Sequence, residues 1–174
     1  GIEIHPTTIL VCDEFAYRSA SLAFPAITIG KIKNYYIDGL VAQLGSQRGD
    51  GILFVSEPIR ETRHTRDFSE FTVLDFIKDN INVLKIEKKI TIRPHPSDHP
   101  GKFLEYVKKN NEFELSDNFE LSRDIAMSEL VLGLESMALV VALEAGRRVI
   151  SCLPGWAPSC RLPHNGILHL KALC

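Results

Sequence analysis

Along the chain, short apolar runs rich in β-branched residues alternate with stretches of helical periodicity. That alternation predicts an open, largely parallel α/β sheet covered by helices on both faces. "TTILVC" (7–12) and "AITIG" (26–30) read as strands, and "DEFAYRSASLAF" (13–24) and "YYIDGLVAQL" (35–44) as helices. Asp13 and Glu14 stand where the first helix would begin, suited to its positive end. "GSQRGDG" (45–51) then interrupts the pattern and reads as a linker. The rhythm restarts with strands at 51–56, 89–93, 113–115, 129–134 and 147–153. Helices are expected near 69–86, 100–110, 119–127 and 135–146. The Pro-rich tail from Pro154 has no clear pattern. Two parts follow: residues 1–45, and an α/β domain over 46–174.

In such sheets ligands bind outside the carboxyl ends of the strands. "SEPIRE", "RPHPSD", "GLES" and "CLPGW" each follow a predicted strand. Parallel strands would gather all four on one edge. "TIRPHPSDHPGKF" (91–103) is the most constrained of them. Pro94 and Pro96 hold Arg93 and His95 in extended geometry and present a cation and a donor beyond the strand end, as for an anion. In "GLESMALVVALEAG", Gly133 permits a tight turn into a helix whose first amides lack internal partners, which suits a phosphate. Against this, Glu135 and Ser136 can simply cap that helix, and Glu135 would compete with an anion.

Plainer readings exist for the rest. Arg93 can pair structurally with a carboxylate such as Glu57, itself a candidate turn former. His95 and His99 with Asp98 could bind a metal, but Pro96 and Pro100 make an ordinary turn the simpler account. Arg63, His64 and Arg66 form a cationic loop of the kind usually solvated.

Composition narrows the function classes. A net charge of −2 with mixed signs provides no broad basic field for nucleic acid or membrane surfaces. No apolar run reaches the roughly 18 residues of a membrane span, and the first residues lack the order of a signal peptide. Four cysteines without a CxxC pair suggest neither a zinc site nor a disulfide framework, and a reducing, cytoplasmic setting is expected. The dinucleotide fingerprint, the P-loop and the nucleophile-elbow pattern are absent from the sequence.

"ITIRPHPSDHPGKF" and "SRDIAMSELVLGLESMALVVALEAGRRVISCLP" together resemble the nucleotide-sugar-binding C-terminal half of GT-B-type glycosyltransferases of bacterial surface polysaccharide synthesis, the sialyltransferase-like and polysialyltransferase-like families especially. The resemblance is clearest over 51–154. It implies one Rossmann-like half of a GT-B fold that binds a CMP- or UDP-type nucleotide-sugar as substrate, with no separate cofactor. His95 and Pro96 match the family's HP motif. Ser136 matches the second serine of its Ser-Ser motif, and Glu135 replaces the first. Glu144 falls where many such enzymes hold the donor sugar or ribose. With Glu57, Arg93 and Gly133 these residues form the expected nucleotide and phosphate site. No DxD motif is present, so metal independence is expected. The family places the general base in an N-terminal acceptor domain, of which residues 1–45 would be a remnant, and no catalytic residue can be named here. A saccharide acceptor, no nucleic acid, a cytoplasmic setting peripheral to the inner membrane and an undecided homodimer complete the expectation. A nucleotide-sugar 2-epimerase and a non-catalytic nucleotide-binding or assembly module are the alternatives.

Overall fold

The structure, a computed structural model, describes residues 6–44, 48–59 and 68–174. The cationic loop with Arg63, His64 and Arg66, and the first three residues of "GSQRGDG", lie outside the described residues. The chain divides into two compact units, residues 1–39 and 40–174. Among the described residues, no helix is long and apolar enough to cross a membrane.

In the first unit, β1 (Thr8–Val11) and β2 (Thr28–Lys31) pair in parallel, joined by α1 (Glu14–Ala23). Asp13 caps α1, its Oδ1 accepting the Ala16 amide at 2.7 Å. No residue of α1 is buried, and Leu10 and Leu22 are exposed. The following helix α2 (Tyr35–Leu44) spans the division between the units.

The second unit is built on six strands: β3 (Gly51–Val55), β4 (Ile90–Arg93), β5 (Phe113–Leu115), β6 (Ser128–Gly133), β7 (Arg148–Ser151) and β8 (Ile167–His169). They lie in the order β5-β4-β3-β6-β7-β8, and every neighbouring pair is parallel. Counted within this unit, the order is 3-2-1-4-5-6, that of the Rossmann fold. Parallel strands buried on both faces need apolar residues at successive positions rather than at alternate ones, and "ILFV" of β3 and "LVLG" of β6 are buried throughout. One face carries Ile52, Phe54, Ile92, Leu132 and Ile150, covered by Val73, Leu74 and Ile77 of α3 (Glu70–Asp79), by Leu84 of α4 (Ile81–Leu84) and by Phe103. The residues between them, such as Leu53, Val131 and Val149, are also buried and belong to the opposite face. There Leu139 of α7 (Met137–Glu144) packs against Gly133. The shorter helices α5 (Leu104–Lys109) and α6 (Leu121–Ala126) follow β4 and β5.

Three boundaries differ from expectation for local reasons. The helix expected over 69–86 begins with a capping box between Ser69 and Thr72 but breaks at Asn80, whose side-chain amide donates to the Phe76 carbonyl at 2.8 Å. α4 then ends on Lys85 at φ 56°. The helix expected from residue 135 starts at Met137, because Ser136 is extended (ψ 158°) in the N-cap position. The patternless tail contributes β8, whose three residues are too few to show a period.

Arg93 has a structural role. Its guanidinium donates to Asp124 Oδ2 at 2.6 Å and to the carbonyls of Asn118 and Phe119 at 3.1 and 2.8 Å. The partner is therefore Asp124 of α6 rather than Glu57. With the side chains 13% and 3% exposed, the pair is largely out of water, and Ser116 and Asn118 also donate to the same carboxylate. Removing one side of such a pair strands the other. Asp124→Ala is expected to lower unfolding stability by about 3–5 kcal/mol, read from urea titration, and a loss below about 1 kcal/mol would show that the pair is solvated.

Candidate functional site

The parallel register brings the carboxyl ends of β3, β4, β6 and β7 to one edge. From β3 the chain crosses over to β4 on one side, and from β6 to β7 on the other. The gap between the ends of β3 and β6 is thus the topological switch point, where an open α/β sheet forms its ligand crevice. A cleft of about 340 Å³ lies there, lined by Glu57, Ile59, Phe68, Leu134, Glu135 and Arg161 among others. Gly133 allows the two strand ends to meet: a Cβ on it would lie 3.3 Å from the Val55 carbonyl and 3.0 Å from Leu139.

Glu57 and Glu135 adjoin directly. Glu57 Oε2 accepts the Glu135 amide at 3.1 Å, so the first free amide ahead of α7 already has an anionic partner. Glu135 turns to the tail, where Oε2 takes the Arg161 amide at 3.0 Å and Oε1 takes Arg161 Nη2 and Nε at 2.6 and 3.1 Å. Partial burial pushes the Glu135 carboxyl up, but its bonds to the Arg161 side chain and amide outweigh this and hold it below the usual glutamate range. Neither side chain caps α7. Ser136 makes no cap bond, and its Oγ, like that of Ser56, is buried without a hydrogen-bond partner among the described residues.

His95 stands exposed on the same edge, in a turn closed by the Asp98 amide on the His95 carbonyl at 2.9 Å. The Ser97 amide, which can only donate, reaches His95 Nδ1 at 3.1 Å. Nδ1 therefore accepts, and in the neutral ring the proton sits on Nε2. Asp98 Oδ2 accepts the His95 amide at 2.9 Å, and Oδ1 accepts Lys102 Nζ at 2.7 Å. Lys102 also donates to Glu70 Oε1 at 2.7 Å, and that oxygen accepts the Ile59 amide at 3.0 Å. The loops after β3 and β4 are joined by this chain. Burial pulls the Lys102 ammonium down, but its two carboxylate partners more than offset that and hold it above the ordinary lysine value.

Of the residues expected at the site, Glu57 and Glu135 line the cleft, Gly133 and Ser136 adjoin Glu135 at the end of β6 and the start of α7, and His95 and Pro96 occupy the neighbouring loop. Arg93 is committed to Asp124. Glu144 is exposed on the last turn of α7, roughly 10 Å of helix rise from its start and toward the opposite edge of the sheet. The metal alternative is not assembled: Asp98 is taken by Lys102, and His99 Nδ1 lies 3.2 Å from the Pro100 carbonyl. Phe68, Arg161 and Trp156 escaped the sequence reading. Trp156 lies in "CLPGW", flagged only as a strand end, and Arg161 lies in the patternless tail.

No protein-family model matches the chain, and no curated protein matches it. What defines the class is geometry, a Rossmann-like parallel sheet with a cleft at its switch point.

The Glu135–Arg161 contact titrates with a definite sign. A carboxyl held below its unfolded value stabilises the fold at neutral pH and loses that contribution as pH falls through the folded value. The urea midpoint of the native protein should exceed that of Glu135→Gln at pH 7, and the gap should close below pH 4.5, the ordinary glutamate value. A gap constant from pH 7 to pH 3 would mean that the charge of Glu135 contributes nothing.

Proposed function

We propose that residues 40–174 are the donor-binding half of a glycosyltransferase that moves a sugar from a CMP- or UDP-type nucleotide to a cell-surface polysaccharide acceptor. The observation that carries this reading is the switch-point cleft of a 3-2-1-4-5-6 parallel sheet with the His95-Pro96 turn on the same edge. Leaving-group chemistry suits such a domain. Breaking the bond between sugar and phosphate develops charge on the phosphate, which fixed donors stabilise without a protein nucleophile. His95 is prepared for that work, its Nδ1 held by Ser97 and its Nε2–H without an acceptor among the described residues. Lys102, through Asp98, fixes the backbone that carries it. The general base and the acceptor site would belong to another domain. Residues 1–39 fit a piece of one, since a two-stranded parallel sheet beside a helix with no buried side chain leaves apolar groups in solvent that a larger layer would cover.

The 2-epimerase alternative gains one point, that Glu57 and Glu135 share the cleft. It loses Glu144, which lies elsewhere, and Glu135 is already engaged by Arg161.

Calorimetric titration with CMP, CDP, UDP and GDP tests the proposal. At least one should bind, and His95→Ala should weaken it by about ten-fold or more, the worth of a hydrogen bond to a charged group. His99→Ala should change little. Absence of binding by all four would favour an assembly module, and equal losses in the two variants would remove His95 from its assigned role.

A further inference from the structure

The two features of the cleft that would attract a phosphate each hold a resident carboxylate. The Glu135 amide, just ahead of α7, is taken by Glu57, and Arg161 is taken by Glu135 through its side chain and its amide. Two glutamates against one arginine leave these lining residues with a net charge of about −1 at neutral pH. An entering phosphate would have to break one of these contacts and then lie beside a carboxylate.

What the cleft offers unspent is of another kind. Among the described residues Glu57 has given only one amide contact, to Oε2, and a carboxylate accepts about four hydrogen bonds. Its open oxygens call for donors such as sugar hydroxyls. Beside them is ring surface. Phe68 lines the cleft, and Trp156 stands on it edge to face, with centroids 5.5 Å apart and planes at 88°. Trp156 sits in a turn closed by the Ala157 amide on the Pro154 carbonyl, and it is 64% exposed. A large ring held open at the rim of a cleft with apolar walls and a few charged groups is suited to stacking on a flat ligand. The volume, about 340 Å³, is near the lower end for small-molecule sites and matches one ring system with its sugar rather than an oligosaccharide.

We propose that this cleft seats the nucleoside part of the ligand. The base stacks at the Trp156–Phe68 rim, the ribose hydroxyls bond to Glu57, and the phosphates remain outside on the His95 side. The assignment rests on the nucleotide-sugar reading above and specifies which part of the ligand enters the cleft.

Trp156 is the only tryptophan in the chain, so its emission reports on this rim alone. Cytidine, uridine, CMP, UDP and pyrophosphate are each titrated while emission is followed, with calorimetry in parallel. A nucleoside and its nucleotide should both change the emission, and pyrophosphate should neither change it nor displace the nucleoside. Trp156→Leu should weaken nucleotide binding by about ten-fold or more, as loss of a stacked base implies. Glu57→Gln keeps an acceptor for the Glu135 amide and should also weaken nucleoside binding by about ten-fold. Calorimetric binding with silent emission and an unaltered Trp156→Leu affinity would place the nucleoside elsewhere and overturn the inference, leaving the glycosyltransferase reading intact. Displacement of the nucleoside by pyrophosphate, with tighter pyrophosphate binding by Glu57→Gln, would make the cleft a phosphate site instead. If neither nucleosides nor nucleotides bind, both readings fall together.

Discussion

The edge of the sheet that carries the candidate site depends on Lys102. Its ammonium, withdrawn from water, lies between Asp98 and Glu70, and through them it gathers the His95 and Ile59 amides into one hydrogen-bonded chain. β3 and β4 are already neighbours, but strand pairing alone leaves the segments beyond them undirected. The shared cation gives both a common origin. A largely buried lysine with two carboxylates is stable only as a set, because removing the cation leaves two adjacent negative charges with little water to screen them. The histidine turn and the cleft wall therefore stay in register together or lose it together.

The second constraint is electrostatic economy at the switch point. The open start of α7 is usually where a Rossmann sheet receives an anion. Here its neighbouring amide is satisfied from within by Glu57, and the nearby arginine by Glu135. The arrangement keeps the topological position at which open α/β sheets bind ligands, with its anion-attracting groups already satisfied from within. Glu135 matters to this as the residue that departs from the Ser-Ser pattern of the resembled family.

The layout of the fold was legible in the sequence because parallel strands, buried on both faces, must be apolar at successive positions. "ILFV" and "LVLG" are such runs, and the helices between the strands follow from the spacing. Much of the site was not legible, for reasons of distance. Arg93 meets Asp124, which lies 31 residues on, and the sequence cannot distinguish that carboxylate from Glu57, which also follows a strand. Lys102 has one partner, Asp98, four residues before it, but the second, Glu70, lies 32 residues away and is supplied only by tertiary structure. Arg161 and Trp156 sit in a Pro-rich stretch where no period exists to orient a side chain. Glu57, Gly133, Glu135 and Ser136 could be chosen because a strand end is a local property, and parallel pairing then carries all such ends to one place.

The six-stranded sheet ends on β5 at one side and β8 at the other, and each is three residues long. A strand arriving at either margin from another molecule would find only a few outward amides and carbonyls, too short a template for a lasting intermolecular ladder. The sheet's longest strand, β6, lies in the interior with a partner on each side. The same strand order that opens a ligand crevice at the centre thus leaves this sheet poorly suited to polymerise through its margins.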